Sequence, residues 1–103
     1  MGKNSSLKTL GKRIGNIVLH KMLIKYTNKP ESISHLINEE NEYRAAAIID
    51  AKKFNWNEGD KQELRIIAIG FFENKSIKKY FDVNLPLEEA KTLIDQEIIN
   101  LKL

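Results

Sequence analysis

The chain has no cysteine. That excludes a disulfide framework, zinc–thiolate and iron–sulfur sites, and every cysteine nucleophile. Proline is nearly as scarce: only Pro30 and Pro86 occur, each at a place where a helix can begin. No Pro/Gly linker, low-complexity tract or internal repeat divides the 103 residues, so one domain is expected. No apolar run reaches the ~18 residues that a bilayer span requires. The longest candidate, residues 17–24, is broken by His20 and Lys21. No secretory leader is recognisable, and with cysteine absent the expected location is the cytoplasm. The glycines match neither a P-loop nor a dinucleotide fingerprint.

Acidic residues are missing from one whole section. Residues 1–29 hold Lys3, Lys8, Lys12, Arg13, Lys21, Lys25 and Lys29, seven positive charges, without a single Asp or Glu. Residues 30–103 hold ten positive and fourteen negative groups, a balance of −4. The modest net charge of +3 therefore hides a strong asymmetry, of the kind that marks an interaction surface or a self-neutralising fold.

Apolar residues make up 42% of the chain and charged residues 30%, a globular composition with material for a core. Their spacing is mostly helical. Leu7, Leu10, Ile14, Ile17 and Val18 recur at i, i+3 and i+4 within a predicted helix over about 6–27, with Gly11 and Gly15 four apart on one face. A helix starting only after Gly15 is the shorter version. Asn28 and Glu31 read as a capping box around Pro30, opening one helix over 30–54 or two split near 38–41 by "NEENE". After the loop "NWNEGD", Asp60 and Glu63 resemble a second box and predict a helix from Lys61 to about Glu73, followed by a short helical turn. Pro86, Glu88 and Glu89 open a last helix with the stripe Leu87, Ala90, Ile94, Ile98 and Leu101. The expected fold is a small all-α domain of four to five helices, a bundle or an orthogonal array. An α+β alternative stays open, because residues 17–26 and 64–72 are β-branched enough to be strands.

Candidate chemistry is thin. His20, inside an apolar run, reads as a core or boundary histidine. His35 and Glu39 have the i, i+4 spacing of metal ligands, but two groups do not make a site, so no metal and no cofactor is expected. Glu39, Glu40 and Glu42 read as a solvated face rather than an acid–base pair. Phe54, Trp56, Phe71, Phe72, Tyr80 and Phe81 sit near lysines, as base-stacking residues do, yet at helical spacing they read as core. "MGKNSS" fits an N-myristoylation pattern, and membrane contact is expected only if Gly2 carries that acyl chain.

The reading that follows is a non-enzymatic protein-interaction or regulatory module that acts through homo- or hetero-oligomeric contacts. The apolar excess of residues 17–24 and 64–72 motivates it. The alternative is nucleic-acid binding of low sequence specificity, with Lys8, Lys12, Arg13, Lys21 and Lys25 on phosphates. Five such contacts on duplex DNA predict a slope of about −4.5 in log K against log salt.

Overall fold

The computed structural model describes residues 2–80 and 82–103. They form four helices: α1 (Lys3–Tyr26), α2 (Ile33–Ala51), α3 (Glu58–Lys79) and α4 (Leu87–Asn100), with a 3-10 turn at Pro30–Ser32 before α2. No strand occurs among the described residues. Residues 17–26 lie in α1 and residues 64–72 in α3, so the all-α expectation holds and the α+β alternative does not.

The organisation follows from α1. At 1.5 Å per residue its 24 residues extend about 36 Å, nearly the 40 Å length of the molecule. Eleven of its residues are buried, against two in α2, three in α3 and three in α4. Ile17, Val18, Leu19 and His20 are buried in succession, at 0–3% exposure. Four consecutive residues sweep about 300° of a helix, so α1 is enclosed on every side over that stretch. It packs against α2, α3 and α4, and α3 also packs against α4. The cross-helix pairs give the directions. Arg13 meets Asp50 and His20 meets Glu39, so α2 runs back along α1. Lys3 meets Asp60, and Gly15 lies against Ala68, so α3 runs parallel to α1. Lys21 meets Glu97 and Lys25 meets Glu89, so α4 runs back again. The topology is up-down-up-down, with α1 as the axis rather than one corner of a square.

Both early glycines have a packing reason. A Cβ on Gly11 would stand 2.6 Å from Ile67 Cγ2 and 2.8 Å from Ile67 Cβ. A Cβ on Gly15 would stand 2.7 Å from the Ala68 carbonyl oxygen and 3.1 Å from Phe71 Cβ. The α1–α3 contact is close enough that only glycine fits, so the helix keeps both residues despite their low propensity.

Several local expectations need correction. The first helix includes both early glycines, as the longer reading over about 6–27 has it, and begins three residues earlier, at Lys3. Asn28 does not cap a helix: the turn after α1 is held by the Thr27 hydroxyl, which accepts from the Lys29 N–H at 3.1 Å, and Pro30 opens the 3-10 turn. Of the two readings of residues 30–54, the helix unbroken at 38–41 holds and the split does not: "NEENE" lies within α2, where Glu40 pairs with Arg44 at 2.7 Å and Glu39 reaches His20 and His35. The box at the start of α3 is Asn57 with Asp60, not Asp60 with Glu63. Asn57 Oδ1 accepts from the Asp60 N–H at 2.8 Å, and Asp60 Oδ2 accepts from the Asn57 N–H at 3.0 Å. That moves the helix start forward to Glu58. The same helix runs on to Lys79, absorbing the short turn expected after Glu73.

Gly15→Ala is therefore expected to destabilise the fold by about 1–3 kcal/mol, because overpacking against a backbone carbonyl outweighs the gain in helix propensity. Urea-unfolding midpoints of the variant and the native chain check this. An unchanged or raised midpoint would show that α1 and α3 do not approach as described.

Candidate functional site

The five cations singled out in the sequence do not form one surface. Arg13 is ion-paired with Asp50 of α2, which is itself buried and also receives Lys53 at 3.3 Å. Lys21 reaches Glu97 at 2.8 Å and Lys25 reaches Glu89 at 2.8 Å, both on α4. Lys8 and Lys12 are exposed, one helical turn apart, and have no ion-pair partner among the described residues. Lys3, outside that group of five, pairs with Asp60 at 2.7 Å and lies over the Trp56 ring. The basic helix thus spends most of its charge on carboxylates of the other three helices.

The tightest of these clusters centres on Glu97, which is 1% exposed. Its Oε1 accepts from Lys21 Nζ of α1 and from Arg44 Nη2 of α2, each at 2.8 Å. Arg44 also holds Glu40 at 2.7 Å. Burial works to raise the Glu97 pKa, but the hydrogen bonds from Arg44 and Lys21 outweigh it and hold the carboxyl below its ordinary 4.5. Burial likewise opposes the charge on Arg44, and its bonds to Glu97 and Glu40 raise its pKa against that. At the end of α1, Glu89 accepts from Lys25 and from the Tyr26 hydroxyl. These bonds lower the Glu89 pKa and raise those of Lys25 and Tyr26. The arrangement ties three helices together. It is saturated: no buried side-chain polar atom among the described residues lacks a partner.

The histidines belong to the same framework. His20 Nδ1 lies 2.7 Å from the Asn16 carbonyl oxygen, and Nε2 lies 2.7 Å from Glu39 Oε2, with the Tyr43 ring packed beside it. His35, on α2, contacts the other oxygen of Glu39. Glu39 stands between the two rings, and no group of three or more candidate ligands forms a metal cluster among the described residues. Most of the aromatics are core: Phe72 and Trp56 are buried, Phe54 and Tyr80 pack against the core, and Trp56 Nε1 donates to the Ala51 carbonyl at 2.8 Å, whereas Phe71 is half-buried with Lys75 over its ring. Phe81 lies outside the described residues. Gly2 is exposed, just before α1. No helix among the described residues is long and apolar enough to cross a membrane.

What remains unspent is apolar surface. The run 17–24 is covered within the chain and supplies no excess. Elsewhere, Ile37, Ile48, Ile49, Ile66, Ile77 and Ile99 are 42–72% exposed. Ile48 and Ile49 lie on α2, which rests on α1 alone among the helices. Ile48 also edges a cavity of about 550 Å³ between the end of α2 and the end of α4, lined by Ala51, Phe54, Trp56 and Leu101 with Lys52 and Lys102 among its polar residues. Ile66 and Ile77 stand on the outer face of α3. Composition flagged α3 as over-apolar, but singling out these two needs the phase of the helix: Leu64, Ala68 and Phe72 face the core, and Ile66 lies about 200° round from Leu64. Comparisons with protein-family models, curated proteins and solved structures found no match to this chain.

The Glu97 cluster makes stability acid-labile with a defined sign. A carboxyl whose folded pKa lies below its unfolded value contributes stability above that unfolded value and loses it as pH falls through the folded one. Stability is expected to fall as pH drops below about 4.5, with Asp60 and Glu89 contributing in the same direction. Glu97→Gln, which leaves Lys21 and Arg44 facing a neutral group, is expected to cost about 2 kcal/mol at neutral pH and to flatten the acid limb. Thermal melts of both proteins across that range check it. Parallel pH profiles would remove Glu97 from the account.

Proposed function

We propose that the chain is a small interaction module that works by contact with other protein chains, its own copies included, rather than by catalysis. The exposed isoleucines carry this reading. Isolated apolar side chains on a surface need no explanation. Six large ones above 40% exposure in a 103-residue chain, grouped on α2, α3 and α4 while the core is closed beneath them, ask for a partner surface. The polar side chains support the same reading. The buried histidine and carboxylates are each consumed by a structural partner, so among the described residues no buried acid or base is left over in a cleft. A cytoplasmic setting belongs to the same proposal.

Nucleic-acid binding is the second reading, favoured by Lys8 and Lys12, which project from one stretch of α1 without carboxylate partners. With Arg13, Lys21 and Lys25 engaged inside the chain, two phosphate contacts replace five. The expected slope of log K against log salt falls to about −1.8.

Two measurements test these readings. Serine in place of Ile48 and Ile49, and separately of Ile66 and Ile77, is expected to leave folding stability within about 1 kcal/mol of the native chain, because surface positions contribute little to folding. Large losses in both pairs would make these residues part of the fold and sink the interaction reading. Retention of a random DNA duplex, followed as salt is raised, checks the second. A slope near −4.5, reduced by Lys21→Ala and Lys25→Ala, would show that the segment gives up its internal ion pairs to bind phosphate.

A further inference from the structure

The outer face of α3 carries a glycine that the fold does not require. A Cβ on Gly70 would meet nothing within 4 Å. Gly11 and Gly15 differ in kind, since any side chain there would strike α3. In the middle of a 22-residue helix, an exposed glycine costs about 1 kcal/mol relative to alanine, and nothing within the chain repays it. Glycine's remaining structural use is to let another backbone come close. At 100° per residue, Glu63, Ile66, Gly70, Glu73 and Ile77 fall within a sector of about 80° on α3. Ile66 is 62% and Ile77 70% exposed. The stripe is thus a bare patch of backbone with an isoleucine one turn before it and another two turns after it.

We propose that this stripe is the contact face for a second copy of the chain, packed as an antiparallel α3–α3 pair about a two-fold axis level with Phe71 and Phe72. The proposal rests on the interaction reading and names its partner. Charge complementarity selects the second copy and its direction. Glu63 lies beyond Ile66 at one end of the stripe, and Lys78 lies beyond Ile77 at the other; neither has an ion-pair partner among the described residues. Laid antiparallel on itself, the helix sets Ile66 against the partner's Ile77 and Glu63 beside the partner's Lys78. The two-fold makes each contact twice, as an isologous interface must. A parallel pairing would place like ends together and lose both ion pairs. Gly70 faces the partner's Glu73 and supplies the room for it. The two Glu73 carboxylates approach each other across the axis, which keeps the contact weak while both are charged. One helix pair falls in the small interface class, below about 1,200 Å² in total, so the dimer is reversible rather than obligate.

Sedimentation velocity from micromolar to millimolar concentration tests this, with folding stability measured on the same variants. The native chain is expected to shift reversibly from monomer toward dimer. Ile66→Gln is expected to weaken the dimer about tenfold or more, because the two-fold removes two apolar contacts at once. Gly70→Ala is the discriminating variant. It is expected to raise the unfolding midpoint, by relieving the helix of a glycine, and to weaken the dimer, by filling the close approach. Glu73→Gln is expected to tighten the dimer. Glu63→Lys and Lys78→Glu are each expected to weaken it, and the double variant to recover. Association that ignores Gly70→Ala, Ile66→Gln and the charge exchange would overturn the α3 pair and leave the interaction reading standing on another face. A native chain that stays monomeric throughout would overturn both the pair and the self-association form of that reading.

Discussion

Where a helix is enclosed on every side it can carry charge only if a counter-charge waits at the edge, and α1 is so enclosed over residues 17–20. From Leu7 to Leu23 it supplies about half of the core. Its cations stand at the edges of that buried surface, where α2, α3 and α4 bring Asp50, Asp60, Glu89 and Glu97 to them. The one-sided basic segment and the acidic remainder are two halves of one electrostatic arrangement. Most of these pairs are partly exposed and individually worth little. Glu97 differs, because a carboxylate at 1% exposure must be fully hydrogen-bonded to stay ionised. Its two cationic partners come from different helices, so it links α4 to both α1 and α2.

The three glycines at mid-helix, Gly11, Gly15 and Gly70, separate what the fold uses from what it does not. Gly11 and Gly15 set the distance between α1 and α3, and that distance brings Phe71 and Phe72 to the α1 side of the molecule. Gly70 sets no distance within the chain. The exposed isoleucines divide from the buried ones on the same ground: Ile14, Ile17 and Ile94 are explained by the core, whereas Ile66 and Ile77 are explained by nothing the single chain contains. Residues that cost folding free energy, or fail to contribute to it, are where function is expected to appear.

Much of the architecture was legible beforehand. The stripe Leu87, Ala90, Ile94 and Ile98, with Leu101 at its end, is the inner face of α4, whereas the apolar run after Ile17, read as an excess for a partner, is covered by the chain's own helices. The misreadings were local and have local causes. Asn57 and Asn28 look alike as caps, but Asn57 caps a helix and Asn28 does not, since Thr27 and Pro30 shape the turn before α2. Consecutive acids in "NEENE" look like a loop until Glu39 and Glu40 are seen to face a histidine and an arginine.

The sequence by itself pointed to the helical class and determined the charge contrast between residues 1–29 and the remainder, because periodicity and composition are properties of the chain alone. The tertiary structure decided which cations stay free. Lys12 and Arg13 are neighbours in sequence, yet the 100° between them turns one to solvent and the other to Asp50. It also decided which glycine is idle and which isoleucines are left over. Those are questions of what stands opposite a residue, and a partner tens of positions away leaves no mark on the spacing of its neighbours.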